Sequence, residues 1–342
     1  MPLKSQVRLT LIDLLTRLLA RLSRPQADPA DIYYAYRLLL GRTPTAADWE
    51  LWRRDIQPGM SKNALVETFL NSAEFRAHHE IQPQLVHTSH GFDIWVDTHD
   101  ELIGQPIIAT QAYEPHVTAV LQRELKPDSV LVDIGANMGW FTLLAASLTP
   151  HGKVIAIEPN WANVQLVYRS LLQNDFRHVT LYPCAITADS TLLELQHTRS
   201  NGRVAAPTEI SQWVEYSQGI RLDDLLAAEP KIDIIKMDIE GHEPIALKGM
   251  QKILHQHHPV LLTEFHPHAI QTNAHANPSD YLDTLMGLSY ELSIIEPAGQ
   301  TRPMPDATAI IAYWREVNRQ HGTGEATHLD LMGKSTLFRN HS

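Results

Sequence analysis

The sequence predicts an α/β protein: an open, mostly parallel sheet with helices on both faces, preceded by a small all-α N-terminal domain. Three stretches carry the prediction. Residues 130–159, VLVDIGANMGWFTLLAASLTPHGKVIAIEP, read as strand, glycine turn, helix and second strand. Residues 232–243, IDIIKMDIEGHE, repeat an apolar strand that ends on acids ahead of a helix. Residues 28–82 show no strand-like alternation and read as three short helices, because Gly41, Pro44, Pro58 and Gly59 punctuate them.

Residues 1–27 form a basic amphipathic segment. Val7 to Leu22 places apolar residues at helical spacing with arginines between them, and Lys4 with four arginines against Asp13 gives residues 1–24 a net charge of +4, leaving −15 for the remainder. Two readings fit this asymmetry. The helix lies on an anionic membrane surface, or it packs on the helical domain or a partner subunit. In residues 28–82, Asp31 caps the first helix, and Leu38, Leu39, Trp49, Trp52, Phe69 and Phe75 supply a small core.

Residues 83–112 form a linker with short lead-in strands, Phe92 to Val96 and Ile107 to Thr110. A helix from Tyr113 to Leu125 opens the main domain, expected over 113–316. Val130 to Val132 is a continuous apolar run, as in a parallel strand buried on both faces. Trp140 to Thr149 is the following helix, stopped by Pro150 and Gly152, and Val154 to Ile157 is the next strand. Asn160 to Phe176 is the second core helix and Val179 to Ile186 the third strand. Leu192 to Leu195 is an accessory strand, and the polar loop from His197 to Pro207 is placed to cover an acceptor. One helix runs from Pro244 to His257. Pro259 to His266, Tyr290 to Ile295 and Thr308 to Tyr313 complete seven strands, and residues 317–342 form a polar C-terminal tail.

The turn after the first core strand distinguishes between cofactors. Dinucleotide folds use G-x-G-x-x-G to bring backbone amides onto a pyrophosphate, whereas Asp133, Gly135, Asn137 and Gly139 give D-x-G-x-N-x-G. A carboxylate facing that loop repels a pyrophosphate and suits the ammonium of a methionine-type cofactor, which favours S-adenosylmethionine. Glu158, at the tip of the next strand, stands where a Rossmann-like fold bonds the hydroxyls of an adenosine ribose. The plainer alternative for Asp133 is a cap on the turn behind it. Asp238 and Glu240, at the tip of the 232–243 strand, face the same cleft and equally suit the start of the following helix. Lys236 and Asp238 share a face.

The combination of VDIGANMGWFT, IEP, RLDDLL at 221–226 and IIKMDIEGHEPIALKGM, with Tyr113 to Pro115, Asn174 and Val179 to Ala185, resembles the FkbM-type methyltransferases over residues 90–315. The resemblance implies a class I fold whose last strand is antiparallel. It also implies that Asp133, Gly135, Asn137 and Gly139 hold the methionyl end of S-adenosylmethionine and that Glu158 holds the ribose. Glu114, Cys184 and Ala185 join the cofactor-binding set, with Cys184 beside the adenine or simply filling core. Transfer to a saccharide hydroxyl, in bacterial surface glycan or polysaccharide biosynthesis, is the reaction implied. Such a hydroxyl needs a general base. Asp238 is the first choice, with Glu240 and His266 the further candidates among a set that includes His242 and Glu264. No metal is assigned, since no dense ligand spacing such as H-E-x-x-H occurs. Residues 28–82 resemble a small helical domain found with bacterial glycosylation enzymes, through Tyr36, Arg37, Leu40 to Arg42, Pro44, Ser72, Glu74 and Phe75.

Composition fits this reading. The chain has 342 residues, 44% of them apolar, and a net charge of −11, which argues against a nucleic-acid partner. The single cysteine, Cys184, fits a reducing compartment. Neither a membrane-spanning run nor a signal peptide is evident, so a cytoplasmic location is expected, with peripheral attachment at the inner membrane face through residues 7–24 as an extension. The acceptor is expected to be a saccharide or glycolipid. A non-catalytic scaffold of a polysaccharide assembly complex, with a methyltransferase-like fold, is the alternative function.

Overall fold

A computed structural model describes residues 26–40, 42–55, 60–70, 72, 81–198, 201–205 and 214–338. The basic segment 7–24, Gly41, Pro58, Gly59, Glu74 and Phe75 lie outside these residues. The chain divides into two compact units, residues 1–80 with 210–214, and residues 81–209 with 215–342.

In the first unit, α1 spans Pro29–Leu39, α2 Ala46–Asp55 and α3 Lys62–Leu70. Asp28, not Asp31, is the N-cap of α1: its side chain accepts from Ala30 N and Asp31 N, while Asp31 bonds back to Asp28 N at 2.8 Å. Pro29 at the first helical position, where no donor is needed, fixes that start. Ile32, Tyr36, Leu40, Trp52, Leu65 and Phe69 form the core. Tyr36 and Arg42 of the helical-domain signature meet here. The Arg42 guanidinium bonds Asp48 at 2.6 Å and lies 4.7 Å over the Tyr36 ring, and the Tyr36 hydroxyl accepts from Trp52 Nε1 at 2.9 Å. Asp48 is thereby held well below the usual carboxylate range.

The second unit opens with a hairpin of β1 (Pro83–His87) and β2 (Asp93–Asp97), then α4 (Gly104–Thr110) and α5 (Pro115–Glu124). There follow β3 (Val130–Ile134), α6 (Trp140–Leu148), β4 (Lys153–Ile157), α7 (Trp161–Gln173), β5 (Val179–Tyr182), β6 (Ala185–Ile186), β7 (Thr191–Thr198), β8 (Asn201–Ala205) and β9 (Val214–Ile220). The chain continues with α8 (Leu222–Leu225), β10 (Ile234–Met237), α9 (Glu243–Lys248), α10 (Gln251–His257), β11 (Val260–Phe265), α11 (Pro267–Asn273), α12 (Pro278–Gly287), β12 (Tyr290–Ile295), β13 (Thr301–Pro303), α13 (Ala307–His321) and β14 (Leu329–Ser335).

The main sheet has the order β13-β12-β14-β11-β10-β3-β4-β5. Strands β11 to β5 are parallel, and β14 runs antiparallel between β11 and β12. Helices cover both faces, as expected. Leu131, Val154, Ile234, Leu262 and Met332 turn toward α5, α6 and α7, whereas Val132, Ile155, Ile235, Leu261 and Leu331 turn toward α9 to α13. This alternation explains why the central strands read as unbroken apolar runs: each residue is buried, on one side or the other.

The structure corrects four elements. Ile107 to Thr110 is helical, because Asp100 Oδ1 accepts from Ile103 N and Gly104 N and starts α4. Thr308 to Tyr313 is not a strand but part of α13, where Asp306 caps and Ile310, Trp314 and Asn318 form one buried stripe at four-residue spacing. Its place in the sheet is taken by β14, from the stretch read as polar tail, and the short edge strand β13 makes the sheet eight-stranded rather than seven. The helix expected over 244–257 breaks into α9 and α10 at Gly249, where a Cβ would stand 2.0 Å from Thr187 O. Two further segments differ in detail. The third strand divides into β5 and β6, and residues expected as the loop 197–207 supply the end of β7 and β8, which pair antiparallel beside β6 and β9.

Strand β14 is tied to α5 by His116 Nε2 and Asp330 Oδ2 at 2.7 Å. That bond holds the half-buried imidazole above its ordinary value. A histidine raised on folding contributes stability that is complete below its unfolded value and lost as pH rises through the folded one. The melting-temperature deficit of His116→Gln relative to wild type should therefore be largest near about pH 5.5 and shrink toward about pH 9. A deficit independent of pH in differential scanning fluorimetry would refute this ionic contribution.

Candidate functional site

The chain leaves β3 toward β4 and β5 on one side and returns to β10 on the other, so a crevice opens at the carboxyl ends of the strands. A cavity of about 460 Å³ occupies it. One end is lined by Glu158, Cys184 and Ala185 beyond β4 and β5. The other is lined by Glu114, Lys236, Asp238, Glu240, Glu264, His266 and His328. Gly135 and Asn137 lie between.

The glycine turn is shaped by close approach. Gly135 has φ 82°, and a Cβ there would stand 2.0 Å from Asp238 O, so a side chain would drive the tips of β3 and β10 apart. Glu158 locks the same turn from β4. Its Oε2 accepts from Asn137 N at 2.7 Å and its Oε1 from Asn160 N at 2.8 Å. Burial nevertheless pushes Glu158 up to about 7, against the pull of those two amides. Gly139 caps α6 and abuts Val167 instead of lining the cavity.

Asp133 also stands behind the wall, with no exposed surface. Its Oδ2 accepts from Thr142 Oγ1 in the first turn of α6 at 2.6 Å, and its Oδ1 has no hydrogen-bond partner among the described residues. Asp133 is not part of the cavity lining and lies beneath it.

The main neighbour is Lys236, which pairs in register with Asp133 across β3 and β10. Only 6% exposed, it donates to Asp238 Oδ2 at 3.1 Å and lies 4.7 Å over the Phe141 ring. Burial alone would discharge this ammonium, yet Asp238, Asp133 and Glu114 together hold it charged. One cation does not neutralise the wall. Burial, then Asp238 and Asp330, push Glu114 up to about 7, and burial with Asp238 raises both Glu240 and Glu264.

Glu240 has φ 56°, outside the range ordinary residues prefer. Glu243 maintains that conformation: its Oε1 accepts from Ile239 N at 2.9 Å and Gly241 N at 3.3 Å. The histidines differ in what they can do. His266 Nδ1 accepts from Ala269 N and caps α11, which commits that nitrogen. Burial lowers His242 to about 4, so it is neutral. His328 Nδ1 lies 3.2 Å from Glu264 Oε1.

The sequence-derived residues Glu114, Gly135, Asn137, Glu158, Cys184, Ala185, Asp238, Glu240 and His266 thus share one cavity, while Asp133 and Gly139 support it. Tyr113 and His328 were not among them. Tyr113 stood in the Y-E-P signature; His328 lies just ahead of the strand hidden in the presumed tail, and no sequence signal marked it. No cluster of histidine, cysteine, aspartate or glutamate suited to a metal ion occurs among the described residues.

A doubly wound parallel sheet with an antiparallel strand beside β11, and a cavity between its glycine turn and its acidic strand tips, defines a Rossmann-like α/β fold of the methyltransferase type. Residues 133–292 match the methyltransferase FkbM domain. The chain is 30% identical over 148 residues to the hexuronic acid methyltransferase AglP of Haloferax volcanii, covering 41% of this chain and 58% of that protein. It is 25% identical over 146 residues to Methyltransferase 1 of Beauveria bassiana, covering 36% and 59%. It therefore spans less than two thirds of the length of these relatives. The crystal structure of an FkbM methyltransferase from Methylobacillus flagellatus aligns over 61% of this chain and 44% of its own, with 19% identity and a TM-score of 0.39.

Gly135→Ala should destabilise the protein by about 2–5 kcal/mol, since a backbone carbonyl blocks the added methyl. Gly91→Ala, at φ 84° with nothing within 4 Å, isolates the conformational cost and should lose only about 1–2 kcal/mol. Equal losses in urea denaturation would contradict the close approach.

Proposed function

We propose that the protein is an S-adenosylmethionine-dependent O-methyltransferase whose acceptor is a saccharide hydroxyl. The observation that carries this reading is the single cavity joining Glu158, the Gly135–Asn137 turn and Asp238. The residues suit the cofactor. Glu158 stands at the strand tip where ribose hydroxyls are bonded in Rossmann-like folds, Cys184 and Ala185 offer a buried, weakly polar seat for a base, and anionic side chains suit a sulfonium. Burial pushes the Cys184 thiol up to about 11, so it stays neutral there.

The bound cofactor supplies an electrophilic methyl group. The chain must orient the acceptor oxygen in line with it and take the hydroxyl proton. Asp238 is the group placed to do so. Lys236 fixes Oδ2, and the remaining oxygen can accept from an acceptor hydroxyl. His266, with Nδ1 spent on Ala269 N, and His242, held neutral by burial, are poorer bases. Glu240, carried on its strained turn, is placed to bond a neighbouring hydroxyl.

The saccharide acceptor is supported by the family and by the hexuronic acid named in the Haloferax relative. The non-catalytic alternative is disfavoured by the cost of keeping several carboxyls buried where a scaffold would gain nothing from them. Among the described residues no helix is long and apolar enough to cross a membrane. A cytoplasmic enzyme, with its basic segment 7–24 against an anionic membrane or a partner, agrees with a lipid-linked glycan acceptor.

Calorimetry should show S-adenosylmethionine binding to the full-length protein and none for NAD. Glu158→Ala should weaken it by about 1.5–3 kcal/mol, the value of hydrogen bonds to a charged group. Asp238→Asn should still bind the cofactor, with at most a modest loss of affinity, and lose about 10²–10⁴ in methyl transfer to a glycan acceptor. Full turnover by Asp238→Asn would eliminate Asp238 as the base, and absence of cofactor binding by the wild type would eliminate the reading altogether.

A further inference from the structure

The cavity gathers more carboxyl groups than its own cation can pair. Lys236 is engaged with Asp238 at 3.1 Å, which leaves Glu114, Glu240 and Glu264 on the same wall. Glu264 is 8% exposed, lines the cavity, and its Oε2 has no hydrogen-bond partner among the described residues. It arrives from β11, Glu114 from the start of α5, and Glu240 from the turn after β10, so three separate elements converge on one place. Asp330, the register partner of Glu264, stands behind it and is paired with His116 at 2.7 Å. The imidazoles are a small counterweight: His328 bonds Glu264 on one side, and His266 accepts a hydrogen bond and is neutral.

We propose that the wall formed by Glu114, Asp238, Glu240 and Glu264 reads the charge on the cofactor, retaining its sulfonium form and releasing the thioether product. The inference rests on the cofactor assignment above. Transfer forms a bond from the acceptor oxygen to the methyl carbon and breaks the bond from sulfur to that carbon, whose electron pair stays on sulfur. The sulfonium becomes a neutral thioether, and the hydroxyl proton passes to Asp238 and then to solvent. The wall then faces one positive charge fewer, since the product keeps its amino-acid ammonium and loses the sulfonium. In a buried, weakly screened cavity that change is expensive, and the affinity difference between the two cofactor forms is the only means by which the site can favour release of one over the other. The raised positions of Glu114, Glu240 and Glu264, due first to burial and then to neighbouring carboxylates, agree with a wall that a ligand cation would relieve.

The test is calorimetric titration of the full-length protein with three probes: S-adenosylmethionine, S-adenosylhomocysteine and sinefungin, which carries an amine where the sulfonium methyl stands. S-adenosylmethionine and sinefungin should bind about tenfold or more tighter than S-adenosylhomocysteine. In Glu240→Gln and Glu114→Gln, which keep shape but remove one charge, that ratio should fall about threefold or more through weaker binding of the cationic probes, with S-adenosylhomocysteine little changed. Equal or tighter binding of S-adenosylhomocysteine by the wild type overturns the proposal and leaves the cofactor assignment standing. An unchanged ratio in both variants overturns it as well. Failure of all three probes to bind overturns the cofactor assignment and this inference with it.

Discussion

A buried ammonium holds the functional end of this fold together. Lys236 sits on the central strand β10, in register with Asp133 on β3 and two residues before Asp238, and its charge is shared among carboxyls from three elements. A neutral side chain of the same length would leave Asp133 with Thr142 alone and Asp238 without its cation, and breaking a buried pair costs about 3–5 kcal/mol because the remaining charge is uncompensated. The Phe141 ring face beside Nζ extends the same support to α6. Lys236 is thus the element on which the acidic strand tips depend, although it need touch no ligand to do so.

Around that charge the backbone is fitted tightly. Gly135 lets the tip of β3 lie against the carbonyl of Asp238, and the Glu158 carboxylate fastens the turn from β4. Glu243 fastens the turn after β10 in the same manner, by accepting two amides from below. The turns after β3 and β10 are therefore each held by a carboxylate bonded to backbone N–H groups. Burial drives Glu158 to about 7 and Glu243 to about 8, the cost of placing such clamps in the interior. The return is a cavity wall whose shape does not depend on the ligand to form.

The parts of the fold legible in the sequence are those with a simple physical signature. Strands β3, β4 and β10 are buried on both faces and read as apolar runs, and acids at their tips could be placed in one cleft from topology alone. Strand β14 escaped because Leu329, Leu331 and Met332 are diluted by Asp330, Gly333 and Lys334 and sit among polar neighbours. Only tertiary pairing with β11 and β12 makes it a strand. The loss of β14 also hid His328 and Asp330, which enter the site from its start. Ile107–Ile108 and Ile310–Ile311 misled in the opposite sense: two adjacent β-branched residues suggest a strand, but Asp100, which accepts from Ile103 N and Gly104 N, and the N-cap Asp306 commit both segments to helix. Position alone set Asp133 beside the cleft, but whether it faces the cleft or the interior depends on Thr142 and Lys236, and neither contact can be read from spacing.

The concentration of carboxyls at one end of the cavity is itself an argument about function. Glu114, Glu240 and Glu264 are each raised first by burial and then by Asp238, so folding brings them together at a cost that solvent exposure would have avoided. Packing does not require them, since apolar side chains of similar volume would fill the same wall without the charge. Two of them also sit on residues with positive φ, Glu114 at 38° and Glu240 at 56°, adding backbone strain to electrostatic strain. Three unfavourable features at one wall, in a domain whose core is otherwise conventionally apolar, mark the place where stability has been given up. A cationic group that sits there for part of a reaction cycle recovers that energy while it is present and forfeits it when its charge is lost. The stored cost is then available at the step where the charge disappears.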